Sequence, residues 1–306
     1  MAGDLRSTSA ISANSMNFSW LSPALRGLVV RFSENRMAAA GLIFVTIVAI
    51  VAALAPIIAP YDPDEINLKE RLVELSWAHP FGTDSFGRDL LSRVIYGARI
   101  SVIAGLGSVS AALVMGVFVG AVAGYAGRVW DNSIMRVMDA NMAFPGILLA
   151  IALVSVLGAS LTNVCIALAI RYTPHFARIV RGSVLAEREK EYVEAARVQG
   201  ESNFRILFRQ ILPNCMAPIL VQCTLDFAQA IISESSLSFL GLGVPPPTPS
   251  WGNILHAAKG AMEFYPWGAI FPGLAICFTV LGLNMLGDGL RDVLDPRLSE
   301  EHASNE

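Results

Sequence analysis

Four ionisable residues stand in or beside long uncharged runs of this chain: Asp139, Arg171, Asp226 and Glu234. A charge in such surroundings is costly and normally faces a protein interior or a water-filled path, where it can hold an ion or a charged group of a passing molecule. Both signs are present. Each also sits near an expected membrane boundary, Asp139 toward the inner face and Glu234 toward the outer, so a boundary role competes with a pathway role. Arg171 and Asp226 lie deeper. Bond-breaking chemistry finds no comparable set. Neither HExxH nor GxSxG occurs, and no GxxxxGK[ST] loop offers backbone N–H groups to a phosphate; the glycines of SFLGLGVPP lack the lysine such a site requires. Catalytic, cofactor-binding and metal residues are therefore not assigned.

His79, His175, His256 and His302 are scattered, and Cys165, Cys215, Cys223 and Cys277 lie singly in apolar surroundings with no CxxC pair. The cysteines read as small core residues, not as a disulfide framework or metal ligands.

A second group is the stretch EYVEAARVQGESNFRILFRQILPN at 191–214. Residues 184–199 suit a helix, with Lys190 and Glu194 at i,i+4. Gly200 breaks it, and a second short helix follows in which Phe204, Leu207, Phe208 and Ile211 recur at i, i+3, i+4 and i+7 as one apolar face. Pro213 ends that helix. Periodicity alone leaves two readings open: a solvated loop whose ridge packs on its own chain, or a surface made for another protein.

The elements that position these residues follow from composition. Hydrophobic residues make up 54% of the chain and charged residues 15%, well below the ~25% charged share of soluble domains, so the chain is read as an integral membrane protein. The net charge of −3 argues against nucleic acid as a partner. Uncharged runs at 38–59, 100–124, 140–170 and 264–287 are long enough for helices across a bilayer. GASLTN at 158–163 reads as a turn, which divides the third run into helices at about 137–157 and 161–181. A further span covers about 215–236, interrupted by Asp226 and Glu234. The expected fold is all-α and polytopic, with six transmembrane helices.

The domain plan is a tail at 1–37 with an interfacial helix at 20–32, a first transmembrane helix at 38–59, and a loop at 60–99. A five-helix core at 100–290, including the loop 182–214, and a tail at 291–306 complete it. The first residues, rich in Ser, Ala and Asn, read as disordered, and the first span exceeds a signal-peptide core. Lys and Arg stay preferentially on the cytoplasmic side. Segment 171–209 carries Arg171, Arg178, Arg181, Arg188, Lys190, Arg197, Arg205 and Arg209, and the N-terminal tail carries Arg6, Arg26, Arg31 and Arg36, so both termini and 182–214 are placed in the cytoplasm. The 60–99 loop then lies outside, although it too carries Lys69, Arg71, Arg88, Arg93 and Arg99 beside seven acids. Ser108, Ala112, Gly116, Gly120 and Gly124 place a small residue at every fourth position of the second span, a packing seam either within the subunit or toward a partner. Pro145 and Pro174 can kink the spans they touch.

Glu194, Ala195 and Ala196, then Gly200, then Leu212 and Pro213 resemble the EAA loop of ATP-binding-cassette importer permeases. Gln210 replaces the usual isoleucine two residues before the Leu-Pro pair, with Ile211 beside it, as in the peptide and nickel branch. NRMAAAGLIF at 35–44, APYDP at 59–63, HPFGTDSFGRDLLSRVIYGARIS at 79–101, FPGILLAIA at 144–152, SLSFLGLGVPPPTPSWG at 236–252 and LGDGLRDVLDPRL at 286–298 are similar to the C-type subunits of dipeptide and oligopeptide permeases. The resemblance implies a MetI-like core forming half of a path for di- and oligopeptides in a bacterial inner membrane. It implies a coupling role for Glu194, Ala195, Ala196, Gly200, Phe204, Leu207, Phe208, Leu212 and Pro213. The implied partners are a homologous second permease, two ATPase subunits that bind the ATP, an extracytoplasmic binding protein, and membrane lipid. Nickel and glutathione are alternative cargoes of the same machinery. An ion-coupled secondary transporter built from inverted repeats is a more distant alternative, since no internal repeat is visible and the EAA segment would be unexplained. An intramembrane hydrolase is more distant still.

Overall fold

The computed structural model describes Phe32 and residues 35–294. The expected disorder of the first residues, nearly all of the interfacial helix at 20–32, and the last residues of the C-terminal tail lie outside the described residues. Among those described, regular structure is helical throughout, apart from an isolated bridge between Thr83 and Asp89.

The first helix, α1 (Arg36–Ala53), starts at Asn35, whose side-chain oxygen accepts from the backbone N–H groups of Met37 and Ala38. It passes through Leu54 into a single turn, α2 (Ala55–Ile58), with Pro56 in its opening positions. The next thirty or so residues fold into a compact cap. Thr83 donates to the Glu70 carbonyl and accepts from Val73 N at 2.9 Å. The buried His79 ring lies 2.8 Å from Asp89 Oδ1.

Asp89 also caps α3 (Leu90–Tyr125) by accepting from Ser92 N at 2.7 Å. This helix has 36 residues, about 54 Å of rise, more than a bilayer core needs. Its start at Leu90 corrects the boundary drawn at 100. Arg93 interrupts the apolar run but not the helix, because the cap absorbs its charge: the guanidinium donates to the Pro63 carbonyl at 2.8 Å and lies 3.6 Å from Asp64 and 3.7 Å from Asp84. Arg88 likewise pairs with Asp84 at 2.7 Å. Two of the basic residues that strained the orientation rule are thus neutralised locally.

The single helix expected at 137–157 is two helices. α4 (Arg128–Met142) and α5 (Gly146–Leu157) meet at 88°. Pro145 stands at the N-cap of α5, where its missing N–H costs nothing. α6 (Leu161–Glu187) begins at Ser160, which accepts from Asn163 N, and runs through Pro174 without a break. α7 (Glu191–Val198) follows, then α8 (Asn203–Arg205), a wider π-wound stretch Ile206–Ile211, and α9 (Leu212–Asn214). The long α10 (Met216–Phe239), the short α11 (Trp251–Ala258) and α12 (Trp267–Leu294) complete the described chain.

Among the described residues, four helices, α1, α3, α10 and α12, are long and apolar enough to cross a membrane, and α4 with α5 makes a fifth if the bent pair counts as one span. The remaining predicted span corresponds to α6, which has the length, with 27 residues, but carries Arg171 near its middle and Arg178 and Arg181 in its second half. α3 packs along α6, α1 along α12, and α10 lies among α3, α6 and α12. α11 is pinned on α3 by Trp251, whose indole N–H donates to the Val94 carbonyl at 3.0 Å. The larger core unites Leu168, Tyr172 and Phe176 of α6 with Ile206, Ile211 and Ile219. Large apolar side chains such as Val114, Phe118 and Val156 remain exposed on the spans, as lipid-facing and partner-facing positions do.

Candidate functional site

Two places collect the functional side chains. The first is a polar face where α6 lies on α10. Along α6, Arg171, His175 and Arg178 recur at intervals of four and three, one stripe of the helix surface. Along α10, Gln222, Asp226, Gln229, Ser233 and Ser236 recur at four, three, four and three. The stripes interlock. Arg171 donates to Ser233 Oγ at 2.6 Å and stacks over the Tyr172 ring at 5.0 Å, and the Tyr172 hydroxyl lies 2.9 Å from the same Oγ. His175 Nδ1 lies 3.0 Å from Asp226 Oδ1. Toward the α4 end, Arg178 donates to Asp139 at 2.7 Å, an exposed pair. Asp226 itself is 2% exposed, and its Oδ2 has no hydrogen-bond partner among the described residues.

Of the four sequence-selected charges, the structure brings Arg171 and Asp226 to this face and places Asp139 at its end. Glu234 is elsewhere. It is fully buried between α3, α10 and the start of α11, accepting from Ser101 at 3.1 Å and Ser238 at 2.7 Å, with Ser235 at 3.5 Å. Enclosed by this chain's own hydroxyls, it stands apart from the other three. His175, Gln222, Gln229 and Ser233 were missed in the sequence. The signal was there in the polar spacing along α10, which a count of formal charges overlooks.

The second place is the elbow formed by α7 to α9. The uninterrupted helix expected at 184–199 is broken at 188–190, and Lys190 pairs with Glu187 at 2.6 Å in place of Glu194. That hydrogen bond raises the Lys190 ammonium above its ordinary pKa. Burial, with help from a bond to Glu187 at 2.7 Å, raises the Tyr192 hydroxyl. Gly200 adopts φ +80°, the left-handed region that favours glycine, with no atom within 4 Å of where a Cβ would stand. Ser202 then caps α8, and Gln210 donates to Glu201 at 2.6 Å, bracing the turn.

The expected single apolar ridge is split. Winding of the π type advances the chain by i→i+5 bonds, so Leu207 and Ile211 turn inward with Ile206 and Leu212. Phe204, 72% exposed, and Phe208 stay outside with ring centroids 4.5 Å apart. Glu194, Ala195 and Pro213 are exposed and Ala196 is buried. An open groove beside α7 is lined by Arg188, Glu189, Lys190, Glu194, Arg197 and Val198.

Several long apolar helices that enclose a polar face, with an amphipathic elbow outside them, define a multi-pass membrane protein of the transport class. Residues 116–300 match the family described as binding-protein-dependent transport system inner membrane component, and residues 24–75 match the N-terminal transmembrane domain of oligopeptide transport permease C. The chain belongs to this family of transport system inner membrane components. The dipeptide transport system permease protein of Alkalihalophilus pseudofirmus is 47% identical over 268 residues, covering 88% of each chain. A di/tripeptide transport system permease protein of Pseudomonas aeruginosa is 45% identical, covering 87% of this chain and 90% of its own. A glutathione transport system permease protein of Escherichia coli is 48% identical, covering 88% and 89%. Among solved structures, a chain of the MetNI methionine ABC transporter, crystallised in an inward facing conformation, superposes with a TM-score of 0.56. It is 16% identical and covers 67% of this chain and 98% of its own. That likeness establishes the MetI-like fold.

Proposed function

We propose that this chain is a permease subunit of an ATP-driven importer of di- and oligopeptides, providing half of the path across a bacterial inner membrane. It pairs with a homologous permease, receives cargo from an extracytoplasmic binding protein, and is driven by two ATPase subunits that bind the ATP. The names of the dipeptide and di/tripeptide relatives support peptides as cargo. Coupling runs through the elbow. The observation that carries this reading is the outward Phe204 and Phe208 pair, left uncovered on a segment whose other large apolar side chains are mostly packed inward. Exposed aromatics of this kind serve as interface anchors, and the groove beside α7, with Glu194 and Arg197, adds exposed charge to the same elbow.

In this reading α6 is the sixth crossing, its basic half leaving the membrane on the cytoplasmic side with the elbow and both termini. The cap before α3 and the segment around α11 face outward. A crossing helix with Arg171 and His175 on its surface is costly against lipid, so this face borders the partner permease and the path between them. Asp139 lies at the path's cytoplasmic end.

Affinity purification of the tagged chain from native membranes, followed by uptake of labelled dipeptide in cells lacking it, tests the assignment. Co-purification of an ATPase and loss of ATP-dependent uptake are the expected results. Uptake that follows an ion gradient with no ATPase retained would assign a secondary transporter instead. Uptake of glutathione or nickel, with dipeptides ignored, would replace the cargo and keep the machinery; the glutathione relative supports including it in the screen.

A further inference from the structure

We propose that Arg171 and the His175–Asp226 pair form a bipolar subsite in the permease itself, Asp226 taking the ammonium and Arg171 the carboxylate of a short zwitterion. This rests on the reading that the α6–α10 face borders the translocation path.

Asp226 anchors this subsite. Its carboxylate is buried, one oxygen meets His175 at 3.0 Å, and the other has no partner among the described residues. A buried carboxylate oxygen left unpaired is destabilising, so this oxygen is open to a donor from outside the chain. An ammonium group does so with three N–H donors. His175 is the exposed neighbour of the carboxylate, its side chain 35% exposed, and a change of its rotamer is the access the subsite requires.

The opposite charge stands at a matching distance. Arg171 precedes His175 by one helical turn, about 6 Å along the α6 axis, and Ser233, which holds the guanidinium, follows Asp226 by seven residues, about 10 Å along α10, a range that brackets the about 7 Å between the chain ends of an extended dipeptide. Ser233 holds the Arg171 guanidinium at 2.6 Å and Tyr172 supports it from one face, which leaves further N–H donors for a carboxylate. Between the two charges lies the exposed side chain of Gln229. The residues cover both termini of a peptide and none of its side chains, so the subsite reads charge separation and not sequence.

The test uses the assembled transporter in membrane vesicles without binding protein, with the four native cysteines replaced and Gln229→Cys as reporter. Its modification is followed with a cationic trimethylammonioethyl and an anionic sulfonatoethyl methanethiosulfonate. Asp226→Asn, which keeps the shape of the side chain, lowers the cationic-to-anionic rate ratio about tenfold, and Arg171→Gln raises it. Millimolar Ala-Ala slows labelling, whereas N-acetyl-Ala-Ala and Ala-Ala amide do not. Labelling that is indifferent to reagent charge and to Asp226→Asn, or equal protection by the blocked peptides, overturns the subsite while a water-filled path stands. If no reagent reaches the introduced thiol at any stage of the ATP cycle, the path reading itself fails and the subsite with it.

Discussion

Gly120 of α3 seats on the backbone of Ala177 of α6: a Cβ built at position 120 would stand 2.9 Å from the Ala177 Cα. Gly116 meets Thr173 and Phe176 in the same way, and Gly124 meets Arg181 and Val184. The stripe of small residues is thus an internal seam that holds α6, and with it the polar face, at a fixed depth against α3. Lipid offers no hydrophobic drive for this contact, so close packing must supply it. Gly120→Val should therefore cost about 1–3 kcal/mol through overpacking and lower the detergent melting temperature and the amount of folded subunit. Gly182→Ala, where nothing lies within 4 Å of the added carbon, should leave both unchanged. Equal behaviour of the two variants would remove the seam from the account.

Much of this architecture was legible in the sequence because lipid allows only helices and long uncharged runs mark them. What stayed hidden has a common cause: an apolar run reports depth, not direction. Pro145 marks where the run at 140–170 can kink but not that the chain turns through 88° there, since both arms satisfy the same solvent. The early start of α3 was hidden because Arg93 reads as a loop residue until Asp64 and Asp84 are brought to it. At 191–214 the resemblance singled out residues, while π winding decides which of them face out. His175 was passed over because a lone histidine carries no signal until Asp226 is folded against it.

Orientation can be read from two exposed positions. Trp77 in the cap is fully exposed and Gln199 follows α7 at the elbow. In a background lacking native cysteines, a membrane-impermeant thiol reagent should label Trp77→Cys in intact cells and Gln199→Cys only after permeabilisation. The opposite pattern would invert the topology and place the elbow out of reach of any cytoplasmic ATPase.

The buried acid Glu234 is expected to behave as a structural residue. Its oxygens join Ser101 of α3 to Ser238 of α10, so Glu234→Ala removes the acceptor for buried hydroxyls and leaves a cavity. A loss on the order of 3 kcal/mol follows, visible as low membrane abundance. Glu234→Gln keeps an acceptor and should restore abundance, with uptake per assembled complex near that of the parent. Normal abundance in Glu234→Ala would contradict the bridging role, and full abundance with abolished uptake in Glu234→Gln would return this residue to the pathway.

The elbow carries the sharpest prediction. Gly200 needs its left-handed backbone and has open space around it, so Gly200→Val is penalised by conformation alone, on the order of 1–3 kcal/mol, and is expected to misdirect α8 without disturbing the core. Phe204→Ala removes an exposed anchor worth about 2 kcal/mol if it fills a pocket at the centre of the contact. Leu207→Ala is a different kind of change, because Leu207 is packed inward and its truncation should lower stability first. In a detergent pull-down, Gly200→Val and Phe204→Ala should keep the sister permease and lose the ATPase, with uptake abolished, while Leu207→Ala should lower the recovery of every subunit together. Full ATPase retention by both Gly200→Val and Phe204→Ala would leave 191–214 as an ordinary loop.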